Sequence, residues 1–227
     1  LSYYGYNNDQ EFLDDLTTNY SQQKVLNKYI KENVITEEEI NKYYEEDIYG
    51  EMTVRHILIT PSVTDDMSED EKTKAKDEAL KEAKDLIKQL NKSEKLEDDF
   101  TALAKEKSDD TGSASEGGLI ENFTNESGLV EEFFDASLKL EVGKFTTEPV
   151  ETQFGYHIIY KVKQNEKPSL DNVKDKIISN ITQELLSDSN ASYIYWAGLR
   201  EKYGMKIYDD VIGDNYKATM NNLKKQN

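Results

Sequence analysis

Two apolar runs of strand length each hold one histidine, and the 227-residue sequence has no other histidine. The later run is Thr152-Gln-Phe-Gly-Tyr-His-Ile-Ile-Tyr-Lys-Val162. A turn signal at Phe154-Gly155 leads into strict alternation, so Tyr156, Ile158 and Tyr160 share one face while His157, Ile159 and Lys161 share the other. Glycine suits that sharp entry because it alone takes positive φ freely. The earlier run, Thr53-Val-Arg-His-Ile-Leu-Ile59, carries His56 and stops at Thr60-Pro61, where proline has no N–H to give to a ladder. Together the runs predict a small sheet with both imidazoles at its centre. Spacing alone leaves open two unrelated histidines, in core or on surface.

What surrounds the strands is helical. Thr36-x-x-Glu39 and Ser68-x-x-Glu71 are capping boxes, in which hydroxyl and carboxylate satisfy each other's backbone N–H groups. The first opens a helix with Ile40, Tyr43 and Tyr44 on its apolar face. The second opens one with Ala75, Ala79, Leu80, Ala83, Leu86, Ile87 and Leu90 inward. Upstream, Phe12, Leu16 and Tyr20 recur at i+4 and Leu26, Tyr29 and Ile30 continue the stripe. Helix packing is the plain reading of that stripe, and a wall of a cradle for unfolded chains is the other. A further helix starts at Asp99, with Phe100, Leu103 and Ala104 inward, and stops near Ser108-Asp-Asp-Thr-Gly112. Gly117-Gly118 precedes a short apolar stretch ending in Phe123. Leu129, Phe133, Ala136 and Leu140 mark the next helix, with Gly143 as its C-cap. The order strand, helix, helix, turn, helix, strand predicts a compact α+β unit, with one more short strand near Leu119-Ile120 or Phe145.

Charge limits the partners. With 46 acidic and 28 basic residues the net charge is −18, a surface that repels phosphate backbones and anionic lipid, so no nucleic-acid partner is expected. A chain 33% charged and 36% hydrophobic fits small packed units joined by amphipathic helices better than one thick globule. No run reaches the roughly 18 apolar residues of a membrane span, and no signal peptide opens at Leu1. The reading is a soluble segment, open to being part of a longer chain. Cysteine is absent, which removes thiol catalysis, disulfides and thiolate metal sites; neither cofactor nor metal is expected.

Six motifs in register then carry a resemblance. Val54-Arg-His-Ile-Leu-Ile59, Ser108-Asp-Asp-Thr111, Gly117-Gly118, Phe133-Phe-Asp-Ala-Ser137, Leu140-x-x-Gly143 and Phe154-Gly-Tyr-His-Ile-Ile159 together resemble a parvulin-type peptidyl-prolyl cis/trans isomerase domain. The resemblance covers about half the chain, Thr53 to Val162. It implies a catalytic group of His56, Asp110, Thr152 and His157, with the imidazoles bonded to each other and Thr152 fixing one tautomer. Asp109 stands next to Asp110 as the competing choice. It implies a proline seat of Leu129, Phe133 and Phe154, with Ile120 as a further lining residue. Leu129 replaces the family's more usual methionine. The family continues its glycine pair with a polar residue, leucine and another glycine; here Gly117-Gly-Leu-Ile-Glu-Asn-Phe123 lacks that later glycine, so either Leu119 or Ile120 takes the leucine role.

The carboxy-terminal arm begins at Lys167-Pro-Ser-Leu170, with Ser169 as N-cap, and runs through Val173, Ile177, Ile181 and Leu185. Ser187-Asp-Ser-Asn190 weakens or kinks it. Tyr193, Tyr195, Trp196, Leu199 and Tyr203 resume it before Gly204 as C-cap, followed by a short strand at Met205–Tyr208 and a marginal helix with Tyr216, Met220 and Leu223. The expected organisation is a parvulin-like domain over 51–165 inserted between helical segments 1–50 and 166–227, which pack together. Those flanking helices resemble the arms of extracytoplasmic foldases. That resemblance implies a foldase acting on unfolded or partly folded secreted polypeptides with X–Pro bonds, and an exported lipoprotein at the extracellular face of the cell membrane, its anchor outside this segment. A homodimer through the helical arms is a further expectation. The alternative is a holdase-type binding module with a catalytically weak parvulin domain. The acidic loop Asp65-Asp66, Glu69-Asp-Glu71 would repel phosphate, so no preference for phosphoserine is expected.

Overall fold

The computed structural model describes residues 5–223. The chain divides into two compact units, one of residues 47–168 and one made from the segments up to Glu46 and from Ser169 onward.

The 47–168 unit is built on four antiparallel strands in the order β2-β1-β4-β3, where β1 is Met52–Ile59, β2 Leu119–Phe123, β3 Val150–Thr152 and β4 Gly155–Gln164. The two histidine-bearing strands are neighbours at its centre, with His56 opposite Ile159 and His157 opposite Leu58. Because side chains alternate along a strand, Ile57, Ile59, Tyr156, Ile158 and Tyr160 enter one apolar cluster with helices α3 (Glu69–Leu90) and α4 (Leu96–Lys107). Met52, Val54 and Ile159 enter a second cluster on the other face with Phe123, Phe133 and Phe134. Both faces are therefore covered, and fully buried side chains such as Ile57, Ile158 and Phe100 each contribute about 1.5–3 kcal/mol of burial free energy. Helix α3 starts on its capping box, with Ser68 N–H donating to Glu71 Oε2 at 2.8 Å.

Several boundaries differ from expectation. Helix α4 begins at Leu96, three residues early, since Glu97, Asp98 and Asp99 all favour the positive end of its dipole. Helix α5 (Glu131–Lys139) ends before Leu140, so Gly143 is not its cap. Gly143 instead turns the following loop at φ 81° and donates to the Lys161 carbonyl. Strand β3 was not foreseen; it forms a hairpin with β4, whereas Phe145 makes only an isolated bridge to Tyr160. Between α4 and β2, a short 3₁₀ turn, Ala114–Glu116, precedes Gly117 and Gly118, both left-handed at φ 72°. A Cβ on Gly118 would overlap the His56 carbonyl oxygen, so the close approach of this turn to β1 requires glycine.

The other unit is all helical: α1 (Asp9–Asn33), α2 (Glu37–Asp47, whose last residue begins the sheet unit), α6 (Leu170–Ser187), α7 (Ser189–Lys202) and α8 (Asp210–Leu223). Leu26, Ile30, Ile40, Ile177, Ile178, Ile181 and Leu199 form its interior. Lys174–Glu37 at 2.8 Å and Lys31–Asp175 at 3.0 Å bridge the early and late segments. The break at Asp188 separates α6 from α7 as the Ser/Asp/Asn run predicts. Helix α7 closes in a Schellman motif: Gly204 is left-handed, its N–H donates to Glu201, and Met205 N–H donates to Arg200. Ser169 occupies the α6 N-cap without a side-chain hydrogen bond. Two expectations fail here. Met205–Tyr208 forms no strand, for no partner strand lies in this unit among the described residues, and Tyr208 is 88% exposed. The first half of the α1 stripe is uncovered: Phe12, Leu13, Leu16 and Tyr20 are exposed, and only Leu26 and Ile30 reach the interior. No described helix is long and apolar enough to cross a membrane.

Candidate active site

Four side chains form a chain of contacts across the centre of the sheet. His56 Nδ1 lies 3.3 Å from His157 Nδ1. Beyond this pair, His56 Nε2 is 2.8 Å from Asp110 Oδ2, and His157 Nε2 is 2.9 Å from Thr152 Oγ1. The imidazoles are almost fully buried and lie 21° from parallel. Phe133, from α5, meets each ring edge-on, its centroid 5.3 Å from both. The sheet thus supplies the histidines, the β3–β4 hairpin Thr152, the loop after α4 Asp110, and α5 the apolar floor.

The proton positions follow from the ends of the chain. Burial pushes the Asp110 carboxyl up, but hydrogen bonds from Ser113, His56 and the Gly112 N–H outweigh it, so its pKa lies below the usual carboxylate value. An ionised carboxylate only accepts, so His56 Nε2 carries a hydrogen and donates to it. Burial pulls the His56 pKa down against the attraction of Asp110, and a neutral His56 then has a bare Nδ1. His157 Nδ1 must therefore hold the hydrogen between the rings, which leaves its Nε2 as acceptor for the Thr152 hydroxyl. Thr152 Oγ1 also accepts from the Phe154 N–H at 3.1 Å, and for its own hydrogen His157 Nε2 at 2.9 Å is a closer acceptor than the Gly155 carbonyl at 3.5 Å. Burial, reinforced by His56, lowers the His157 pKa to about 4, against an opposing pull from Asp110. Every donor then meets an acceptor with both rings neutral.

The two neighbouring aspartates are placed differently. Asp109 turns to the end of β1, where its Oδ2 accepts from Thr60 N–H at 2.7 Å, and Asp110 alone reaches the imidazoles. Ile120 and Leu129 pack on the cluster that contains Phe133, so Ile120 rather than Leu119 takes the inward position after the glycine pair. Near the missing glycine, Asn122 is left-handed at φ 52°, a residue type that tolerates this region. Phe154 is 53% exposed and lines an open cleft of about 640 Å³ with Thr152, Pro61, Glu132 and Glu151. Ile120, Leu129 and Phe133 are not among the residues lining that cleft.

One site residue escaped the sequence reading. Ser113 is buried, with its Oγ 3.0 Å from His56 Nε2 and 2.5 Å from Asp110 Oδ2. A signal existed in Asp110-Thr-Gly-Ser113. Gly112 N–H donates back to Asp110 Oδ1 at 3.1 Å, a side-chain turn that returns the chain to the carboxylate at Ser113.

Known proteins are similar to this chain in sequence and in fold. Residues 56–163 match the family model for the PPIC-type PPIase domain, or rotamase. Foldase protein PrsA 3 of Bacillus anthracis is 34% identical over 180 residues, 79% of this chain and 53% of the relative. Foldase protein PrsA of Bacillus subtilis (strain 168) is 30% identical over 193 residues, 85% of this chain and 57% of the relative. The chain thus spans little more than half the length of the curated relatives it matches. A crystal structure of the peptidylprolyl isomerase PrsA from Bacillus cereus is similar with a TM-score of 0.54 at 29% identity, covering 95% of this chain and 70% of that one. Residues 56–163 form a PPIC-type peptidyl-prolyl isomerase domain, which belongs to the parvulin family.

Proposed function

We propose that the domain catalyses cis/trans rotation about X–Pro bonds of incompletely folded polypeptides. The observation that carries this reading is the pair of buried imidazoles in contact with each other, tied at one end to Asp110 and at the other to Thr152. Amide resonance sets a barrier of about 18–20 kcal/mol and places partial negative charge on the carbonyl oxygen of the planar form. A fixed carboxylate beside that oxygen raises the planar form relative to the twisted one, where the resonance is lost. No bond breaks and no proton need transfer, so the histidines serve to hold Asp110 ionised and oriented rather than to act as a base. Phe133, Leu129 and Ile120, which pack in one cluster, and the exposed Phe154 at the β3–β4 turn are the apolar side chains assigned to the pyrrolidine, and a neutral imidazole pair beside Phe133 adds no buried charge to them.

The whole chain acts, in this reading, as an extracellular foldase on secreted polypeptides, tethered by a lipid outside this segment and able to pair through its helices. The foldase relatives support it. A second reading is favoured by the exposed Phe12, Leu13, Leu16 and Tyr20: a holdase in which the helical unit binds clients and the isomerase contributes little. A protease-coupled proline-peptide assay on the wild type, Asp110→Ala and His157→Ala separates the two. Catalysis by the wild type with a loss of tenfold or more in both variants is expected. Equally slow rates for all three would leave only the holdase.

A further inference from the structure

We propose that Ser113 is a positioning residue for the isomerase, its hydroxyl clamping Asp110 Oδ2 against His56 so that Oδ1 is the oxygen left to face the substrate amide. The inference rests on the isomerase reading and adds a residue that the family resemblance did not point to. Ser113 has one hydroxyl hydrogen and two polar neighbours, Asp110 Oδ2 at 2.5 Å and His56 Nε2 at 3.0 Å. Since His56 Nε2 is itself a donor in the tautomer set by Asp110, the serine hydrogen goes to the carboxylate. The serine oxygen then shares the His56 N–H with Asp110. Oδ2 accordingly receives two hydrogen bonds inside the protein. Oδ1 receives only the Gly112 N–H at 3.1 Å and keeps acceptor capacity, on a side chain that remains partly open to solvent. Both internal donors and Gly112 pull the carboxyl below its usual pKa against burial, so the clamp also keeps it charged.

The location explains why a serine serves here. The 3₁₀ turn that follows Ser113 is fixed by Arg55, whose Nη1 donates to the Glu116 and Gly117 carbonyls at 2.9 and 3.1 Å. Gly118 N–H donates to the Ser113 carbonyl at 2.9 Å. Ser113 is thus held by its own backbone, and Asp110, which is 32% exposed at its side chain, is held by Ser113. A carboxylate that can swing on its Cα–Cβ bond would lose the orientation on which an electrostatic role depends.

Four measurements on the full chain test the clamp. In the proline-peptide assay, Ser113→Ala is expected to lower kcat about tenfold, the scale of one hydrogen bond to a charged group, with KM little changed. In an Asp110→Ala background the same change is expected to have no further effect, because Ser113 acts through Asp110. A Ser113→Ala rate within twofold of wild type, or a full additional loss in that background, would overturn the proposal. The third reading needs no activity. Carboxyl ¹³C titration should show the Asp110 pKa rising in Ser113→Ala, with His56 on β1 and His157 on β4 as the other ionisable groups facing it. Imidazole ¹⁵N shifts of the wild type should show His56 protonated at Nε2 and bare at Nδ1. An unmoved Asp110 titration or the opposite tautomer refutes the clamp even if the protein proves to be no isomerase, and a wild type without catalysis refutes only the isomerase reading.

Discussion

Lys161 donates its ammonium to the Leu140 carbonyl at 2.8 Å and to that of Leu138 at 3.2 Å, closing the end of helix α5 from a strand across the core. The side chain lies on the same face of β4 as His157 and is fully buried, without a carboxylate partner among the described residues. Burial lowers its pKa, yet the carbonyls at the negative end of the helix favour the charged form. Because α5 carries Phe133 against both imidazoles, Lys161 ties the apolar floor of the site to the strand that bears His157. Lys161→Met keeps most of the volume and removes the donors. It is expected to destabilise the domain by about 1–3 kcal/mol in urea unfolding, the cost of leaving such carbonyls unpaired. An unchanged midpoint would mean that the helix end is satisfied without it.

The neutral imidazole pair makes stability fall in acid. Folded His157 titrates at about 4, well below the ordinary 6.5 of an unfolded histidine, and His56 is shifted the same way. Below pH 6.5 the unfolded chain takes up protons that the folded rings refuse, so stability decreases as pH falls through the window from 6.5 to about 4. Above pH 6.5 the contribution is complete. Its size for His157 alone is about 3 kcal/mol. Urea unfolding of the wild type from pH 7.5 to 4 should show this slope, and His157→Leu should show a shallower one. Parallel curves for the two proteins would contradict the assignment of neutral rings.

Much of this arrangement could be read from residues alone, for a definite reason. Alternation in Tyr156–Lys161 sorts side chains by face without reference to anything distant, and one histidine per strand leaves few ways to place the pair. Capping boxes at Thr36 and Ser68 are equally local, and both form as written. What stayed hidden depends on contacts remote in sequence. The end of α5 is met by Lys161, about twenty residues away, a contact that the local signal at Gly143 does not reveal. Ser113 matters only because β1 brings His56 to it. Helical spacing identifies an apolar stripe on α1 but cannot say that nothing in its unit covers Phe12–Tyr20.

Phe133 and Phe154 should separate stability from substrate binding. Phe133 is 3% exposed and touches both histidines, whereas Phe154 is 53% exposed at the β3–β4 turn. Phe133→Ala is expected to cost about 3–5 kcal/mol in unfolding free energy through the cavity it leaves. Phe154→Ala is expected to change stability by less than about 1 kcal/mol while raising KM for proline peptides severalfold. Equal stability losses would assign both rings to the core, and an unchanged KM would remove Phe154 from the seat.

Phosphate should be disfavoured at the residue before proline. The loop between β1 and α3 carries Asp65 and Asp66, and the first turn of α3 adds Glu69, Asp70 and Glu71. No basic side chain in that stretch could pair with a dianion. Phosphoserine-proline peptides are expected to turn over several times more slowly than their unmodified forms, and the gap should narrow in Asp65→Lys/Asp66→Lys. Faster turnover of the phosphorylated peptide would show that the loop does not face the substrate.

The exposed face of α1 should matter for client binding and not for rotation of a short peptide. Leu13, Leu16 and Tyr20 leave large apolar surface in water at 50%, 52% and 68% exposure, an arrangement that costs free energy unless something covers it in use. Tyr6 packs edge-on against Phe12 at the start of this face, which extends it toward the helix N-terminus. Replacing Leu13, Leu16 and Tyr20 by serine removes none of the residues buried in the helical unit, so the fold should persist with its melting temperature little changed. Suppression of aggregation of a chemically denatured client is expected to fall severalfold, while kcat/KM on a tetrapeptide stays within twofold of wild type. Undiminished suppression would move client binding elsewhere on the molecule. A parallel loss of peptide turnover would mean that the two functions cannot be assigned to separate units.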